Sequence, residues 1–311
     1  MANATLWIVF SIGFLLVFAL DMGILNRKPH TPTLREAAIW SGVWLSLALA
    51  FAAGIFYEKG HTAGMQFLGG YVVELSLSAD NVFLFAVIFK YFRTPPQIQH
   101  RALAWGIFSA IILRGVMIAA GAALISRFHW VEYVFGAFLV FTGIKMFLSR
   151  NETPDVSENR LLILAKQHLP VLDHYEGSQF FAVKNGKRTA TLLFLVLLMI
   201  ESTDVIFALD SIPAIFGITK DPFIVFTSNI LAILGLRSLY FLLAGVMDKF
   251  HYLETGLAFV LAFVGVKMLA VAADVHIGLA GSLGVILGIL IVSVIASLMF
   301  PKSEEDKQKH G

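Results

Sequence analysis

Residues 72–83 read VVELSLSADNVF, and residues 200–216 read IESTDVIFALDSIPAIF. Each lies inside a long apolar run, 65–89 and 191–216, and each sets carboxylates where such a run would lie deepest in a bilayer. A hydrocarbon core of ~30 Å takes about 20 helical residues to cross. Seven further runs reach or approach that length: 4–25, 37–57, 102–125, 131–148, 223–246, 255–272 and 277–300. The expectation is an all-α polytopic membrane protein with about nine transmembrane helices, forming one transmembrane domain over 1–300. The first run has no basic segment before it and no A-x-A site after it, so it reads as a retained span rather than a signal peptide.

Composition agrees. Of 311 residues, 58% are hydrophobic and 14% charged, where a soluble domain carries about 25% charge. Mean hydropathy is +0.80. A net charge of +2 offers no broad basic face, so nucleic acid is not an expected partner; the lipid bilayer is. The chain has no cysteine, which excludes disulfides, thiolate metal sites and thiol nucleophiles.

Lys and Arg in the loops set the orientation. The loops 26–36, 90–101, 149–190 and 247–254, with the tail 301–311, carry 16 of them; the alternate loops carry three, Lys59, Arg127 and Lys220. The N-terminus is therefore expected outside and the C-terminus in the cytoplasm. The long loop 149–190 is expected to be cytoplasmic, with helical spacing over 161–168.

The two acidic stretches are related. Ser78, Asp80 and Phe83 of SADNVF match Ser202, Asp204 and Phe207 of STDVIF at an offset of 124. Arg114 matches Arg237 at 123, and GIKM at 143–146 matches GVKM at 265–268 at 122. Each unit, about 65–148 and about 191–272, holds three spans. An odd number of spans inverts the second copy, so the pattern predicts an inverted 3+3 helix repeat. Such repeats recur in secondary transporters, with the binding site at the repeat interface near the midplane.

Setting aside loop and boundary residues, ten charges remain within the spans: Asp21, Glu74, Asp80, Glu201, Asp204, Asp210, Arg114, Lys145, Arg237 and Lys267. Each costs ~2.5–3.5 kcal/mol at a helix centre unless it pairs, neutralises or faces a cavity. Lys145 and Lys267 lie near helix ends and are expected to anchor at the headgroups. Arg114 and Arg237 are mid-span, and each is expected to pair with a carboxylate on the motif helix of its own repeat. At 100° per residue Glu74, Ser78 and Asn81 share a face, with Asp80 about 120° away. Either the motif helices are unwound at the polar patch or polar neighbours surround them; Ser-x-Ser before Asp80 and Pro213 after Asp210 favour a break. Central acids outnumber central arginines, and the available ligands are hard oxygens. All nine His lie in loops or at span ends. A cation or proton site follows, suited to Mg²⁺, Ca²⁺ or Mn²⁺, with Na⁺ or H⁺ also open.

VVELSLSADNVF (72–83), IESTDVIFALDSIPAIF (200–216), SNILAILGLRSLYFLLAGV (228–246) and GVKML (265–269) resemble the TerC family of integral membrane proteins, its Alx-like branch in particular. The likeness covers nearly the whole chain. It implies a bacterial inner-membrane protein that exports manganese or a related divalent cation. The family takes its name from tellurium-resistance operons, and some members are linked to loading manganese into secreted enzymes. Carried over by motif, the functional residues are Glu74, Asp80 and Asn81 in the first repeat and Glu201, Asp204, Asp210 and Ser211 in the second. Asn81 is answered by Val205, and Asp210 by Ala86, so full symmetry is not expected.

The reading is a secondary-type carrier holding Mn²⁺, or Ca²⁺ or Mg²⁺ in its stead, on Glu74, Asp80, Asn81, Glu201, Asp204 and Asp210. Asp21, Ser78, Ser202, Ser211, Arg114 and Arg237 support or gate the site, and protons are the expected counter-ion. No organic cofactor is implied. GxxxxGK[ST] and HExxH are absent, so no enzyme is expected. The rivals are a proton-coupled Ca²⁺ antiporter on the same residues and a non-transporting factor that assists metalation of secreted proteins. A GxxxG at 284–288 suits packing inside the chain, or between copies of an oligomer.

Overall fold

The computed structural model describes residues 2–25, 33–148, 159–184, 186–243, 250, 252–273, 275 and 277–300. Helices dominate. The long ones are α1 (Ala2–Leu25), α2 (Leu34–Tyr91), α3 (Pro96–Arg127), α4 (Trp130–Leu148), α6 (Leu192–Phe216), α9 (Leu253–Ala270) and α10 (Leu279–Met299). Between α4 and α6 lie a short α5 (Arg160–His168) and a hairpin of β1 (Phe181–Lys184) and β2 (Lys187–Ala190); α7 (Pro222–Leu234) and α8 (Leu236–Leu243) follow α6. Among the described residues, six helices are long and apolar enough to cross a membrane, and a seventh crossing arises if the bent pair α7–α8 is one span. Many of their apolar side chains face outward, such as Val116 at 64% and Val292 at 66% exposure. Backbone groups satisfied within helices and an apolar exterior are what a bilayer demands. The chain is a polytopic helical membrane protein.

Local chemistry sets the breaks. Thr33 caps α2 by accepting from Glu36 N at 3.2 Å, a capping box of the T-x-x-E kind. Within α2, Gly60 turns to φ +85° and ψ 179°, dividing the helix into two apolar halves. Such a φ suits a residue without Cβ. Both α3 and α7 open on a proline, Pro96 and Pro222, where a missing N–H costs nothing. Asp221 caps α7 by accepting from Phe223 N at 2.9 Å. The chain bends by 42° between α7 and α8, at Gly235.

The expected break in the acidic stretches is not found: residues 72–83 lie in helical α2, and α6 runs through Pro213 without interruption. Instead, polar neighbours from other helices meet the acids. The helix read at 161–168 is α5. The β1–β2 hairpin was not anticipated, although Asn185-Gly186 is a strong two-residue turn signal.

Among the long helices α6 is the most enclosed, packed against α2, α3 and α4 and touched by α5 and α9. Among the described residues, the most extensive helix–helix contact is α4 on α9. There Gly143 lies against the carbonyl of Ala258 and against Ala262, while Gly265 lies against the carbonyl of Gly136 and against Val140. The offset of 122 that relates GIKM to GVKM carries the first set of contacts onto the second. By contrast, Gly284 and Gly288 on α10 have nothing within 4 Å, so the GxxxG there packs against no other helix of the chain among the described residues.

Two clusters mark the ends of the bundle. At one, Lys59 meets Asp221 at 2.6 Å and Lys220 meets Glu132 at 2.5 Å. At the other, the Tyr175 hydroxyl donates to Phe92 O at 2.9 Å and meets Thr94 Oγ1, and Arg101 donates to Ser178. Lys267, read as a headgroup anchor, makes contacts within the chain. Its Nζ is half-buried and donates to Gly217 O at 3.2 Å and to Ser282 Oγ at 3.1 Å, tying α9 to the end of α6 and to α10.

Candidate functional site

Arg114, near the middle of α3, is fully enclosed. A guanidinium stays charged there, so it must find anions and acceptors. It finds them on three other helices. Nη1 bonds Glu74 Oε1 of α2. Nη2 bonds Asp204 Oδ1 of α6 at 2.9 Å, and Nε reaches Asp204 Oδ2 at 3.3 Å, so Asp204 is held by two prongs of the fork. Nη1 also lies 3.2 Å from Ser211 Oγ and 3.3 Å from Asn229 Oδ1 of α7. Asn229 closes the ring, donating its Nδ2 to Glu74 Oε2 at 2.9 Å. Glu74, Asp204, Ser211 and Asn229 are all buried.

The pairing includes the expected carboxylate and adds a second. Arg114 takes a carboxylate from each sequence unit, Glu74 from its own and Asp204 from the other. The cluster therefore joins the two units at their acidic helices. One arginine cannot neutralise both acids, and Glu201 adds a third carboxylate within electrostatic reach of Asp204. Glu201 is half-buried and meets Ser109 Oγ of α3. Close approach of α3 and α6 is possible there because Gly106 leaves room for Ile200.

The remaining sequence-predicted residues divide. Ser78 and Asn81 are buried on α2, and neither Ser78 Oγ nor Asn81 Oδ1 has a hydrogen-bond partner among the described residues. Asp80 lies in α2 between them, and Asp21 in α1; both side chains are outside the described residues. Asp210 is turned toward α4, with Thr142 and Lys145 nearby. Ser202 is buried and donates to Met199 O at 2.9 Å, while its Oγ accepts from Asn159 Nδ2 at 3.3 Å. Arg237 is buried on α8, which packs against α2. Asn229 was missed by sequence reasoning. Its signal was an amide isolated in the apolar run 228–236, SNILAILGL.

Chemically, the site offers carboxylate, amide and hydroxyl oxygens and no sulfur or imidazole in the cluster. Unpartnered buried oxygens beside excess negative charge fit a hard cation. A metal arriving there would compete with Arg114 for Glu74 and Asp204.

The family model for integral membrane proteins of the TerC type matches residues 59–305. The chain belongs to the TerC family. The match starts at Lys59, beside the Gly60 break, and takes in both acidic helices, Arg114 and Asn229. A Myxococcus xanthus membrane protein, itself uncharacterized, is 50% identical over 308 residues, covering 98% of this chain and 96% of its own. An Escherichia coli K12 relative is 44% identical over 315 residues, 98% of each chain, and carries the provisional name membrane-bound redox modulator Alx. A membrane protein of Rickettsia bellii is 36% identical over 296 residues, 94% of this chain and 97% of its own. The Alx-like branch read from the motifs is thus supported by relatives of matching length. No solved structure matches the chain.

Proposed function

We propose that this TerC protein is a secondary-type carrier that exports Mn²⁺, or a related hard divalent cation, from the bacterial cytoplasm by alternating access. The observation that carries the reading is the meeting of Glu74 and Asp204, one from each sequence unit, on the single buried Arg114. A site shared between two units changes its exposure when one unit rocks against the other. The reciprocal packing of Gly143 and Gly265 supports an inverted repeat, because the same contacts recur when the two units are exchanged. Nine crossings follow if α2 counts on both sides of Gly60, α7–α8 counts as one bent span and α1 counts as a span.

In this reading Arg114 is an internal cation. It keeps Glu74 and Asp204 oriented and apart while no cargo is bound. A divalent ion draws one or both carboxylates off the guanidinium, with Asn81 and Ser78 on α2 and Glu201 on α6 completing the oxygen shell. Asp210, directed at Thr142 and Lys145, serves the second unit's movement or proton exchange rather than the shell. No nucleotide-binding motif is present, so the gradient of protons or another ion supplies the energy. The relatives' name invokes redox modulation. A chain without cysteine has no thiol to exchange, so such an effect would act through supply of a redox-active metal.

The test is Mn²⁺ flux into proteoliposomes, with Ca²⁺ and Mg²⁺ as competitors. Glu74→Gln and Asp204→Asn are each expected to reduce flux to background while the proteins remain folded. Wild-type flux in both variants would sink the site; stronger inhibition by Ca²⁺ than saturation by Mn²⁺ would make Ca²⁺ the cargo.

A further inference from the structure

Helix α5 ends where a solvent-exposed helix would not. Its N-cap Asn159 accepts from Leu161 N and Leu162 N through Oδ1, at 2.9 and 3.3 Å, and donates through Nδ2 to Ser202 Oγ at 3.3 Å. Ser202 stands ten residues beyond the first residue of α6, about 15 Å along the helix at ~1.5 Å per residue. Ser202 is also the residue after Glu201. The opposite end of α5 returns to the start of α6, where Ala190 N donates to Pro170 O at 2.9 Å. The helix, nine residues long, thus runs beside α6 from its first turns to the depth of the acids.

Its two faces differ. Leu162 and Ala165 are buried among Phe85 and Phe89 of α2, Leu103 of α3 and Val196 of α6. Through them α5 packs against α6 on the hairpin side of the site. Leu161, Ile163 and Leu164 point outward, each more than 40% exposed. Exposed Arg160, Lys166 and Gln167 share that outer face, and such a mixed face suits the boundary between lipid and water. At its inner end, among the described residues, the side-chain hydrogen bond that joins α5 to α6 is Asn159 to Ser202. At its outer end the backbone around Pro170 ties it to the hairpin.

We propose that α5 is a re-entrant plug that closes the approach to Glu201 and Asp204 from the hairpin side, latched by the hydrogen bond from Asn159 to Ser202 and hinged at Leu169–Pro170. The role rests on the carrier reading, since a plug matters only where something passes. Opening withdraws Leu162 and Ala165 from that hydrophobic cluster and exposes the half-buried Glu201 to water on that side.

The chain has no cysteine, so introduced thiols report alone. In vesicles carrying the N159C/S202C chain, oxidation is expected to join the two positions and stop Mn²⁺ flux, and reductant to restore it. A second readout needs no transport. Glu201→Cys, or Ser109→Cys beside it, is labelled with a water-soluble maleimide. Adding Asn159→Leu is expected to raise the labelling rate about fivefold, the population shift that one hydrogen bond of ordinary net strength supports. Three results overturn the plug: a disulfide that forms while flux continues, two reactive thiols that never join, or labelling indifferent to Asn159. Labelling that responds to Asn159 in a protein that moves no Mn²⁺ overturns the carrier reading and leaves the plug standing.

Discussion

Asn229 holds Glu74 Oε2 and touches Arg114 with the same side chain. That makes it the neutral member on which the charged members depend. Replacing it with leucine, similar in volume, leaves Glu74 Oε2 without a donor in an enclosed space. Stranding a buried acceptor costs about 1–3 kcal/mol, more when it is charged. Asn229→Leu is therefore expected to lower the thermal midpoint in detergent, and Asn229→Asp to lower it further by adding a carboxylate beside Glu74. A midpoint unchanged in both variants would show that the ring is not a structural unit. At this scale the acids were legible, because each is expensive in hydrocarbon and stands out against its surroundings. Their partners were less so. A helical wheel orders residues on one helix but is silent on which helix faces it. That is why the wheel offers Glu74 as a partner of Arg114 but not Asp204 from the other unit, and gives no sign of an uncharged amide on α7.

Between elements, the crossing of α4 and α9 makes the sharpest demand. A Cβ on Gly143 would meet backbone atoms of Ala258 and Ala262, and a Cβ on Gly265 would meet the backbone of Gly136 and Val140. Backbone cannot step aside as a side chain can. Overpacking of this sort costs about 1–3 kcal/mol. Gly143→Ala and Gly265→Ala are expected to destabilise by similar amounts, because their surroundings are reciprocal. Gly284→Ala, with open space around it, serves as the neutral control. Chemical or thermal unfolding in detergent decides: a large effect at only one of the two glycines would break the reciprocity. Matched motifs made this pairing visible in sequence as GIKM and GVKM, although the contact itself was not foreseen. Helix continuity was harder to read. Ser-x-Ser on α2 and Pro213 on α6 read as breakers, yet both helices continue through them, and Ser211 of α6 meets Arg114 of α3. Of the true interruptions, Gly60 falls in the polar stretch 58–61 between the runs 37–57 and 65–89, where hydropathy already parts them, whereas Gly235 lies inside the apolar run 223–246, where hydropathy alone passes over it.

For the molecule as a whole, the loop charges and the contacts at the two ends bear on one another. Lys59, Glu132, Lys220 and Asp221 come from three separate connections that alternate along the chain, and they meet at one end. Thr94, Arg101, Tyr175 and Ser178 come from the intervening connections and meet at the other. Alternation of this kind is what successive crossings produce. The basic residues then choose the side, because loops rich in Lys and Arg stay in the cytoplasm. Single cysteines placed at Glu58 or Arg127 are expected to react with an impermeant maleimide in intact cells. Cysteines at Arg93 or Lys184 are expected to react only after the membrane is opened. If position 58 and position 127 label from opposite sides, an odd crossing has been lost or gained between them. The second unit would then no longer be inverted relative to the first, and a site that exchanges its exposure between two faces would lose its geometric basis. The same reporter at Asp173, in the segment between α5 and the hairpin, locates the side on which the proposed plug opens. Reaction there with the cytoplasmic set would make α5 the inner barrier and leave the Lys59–Asp221 end as the exit.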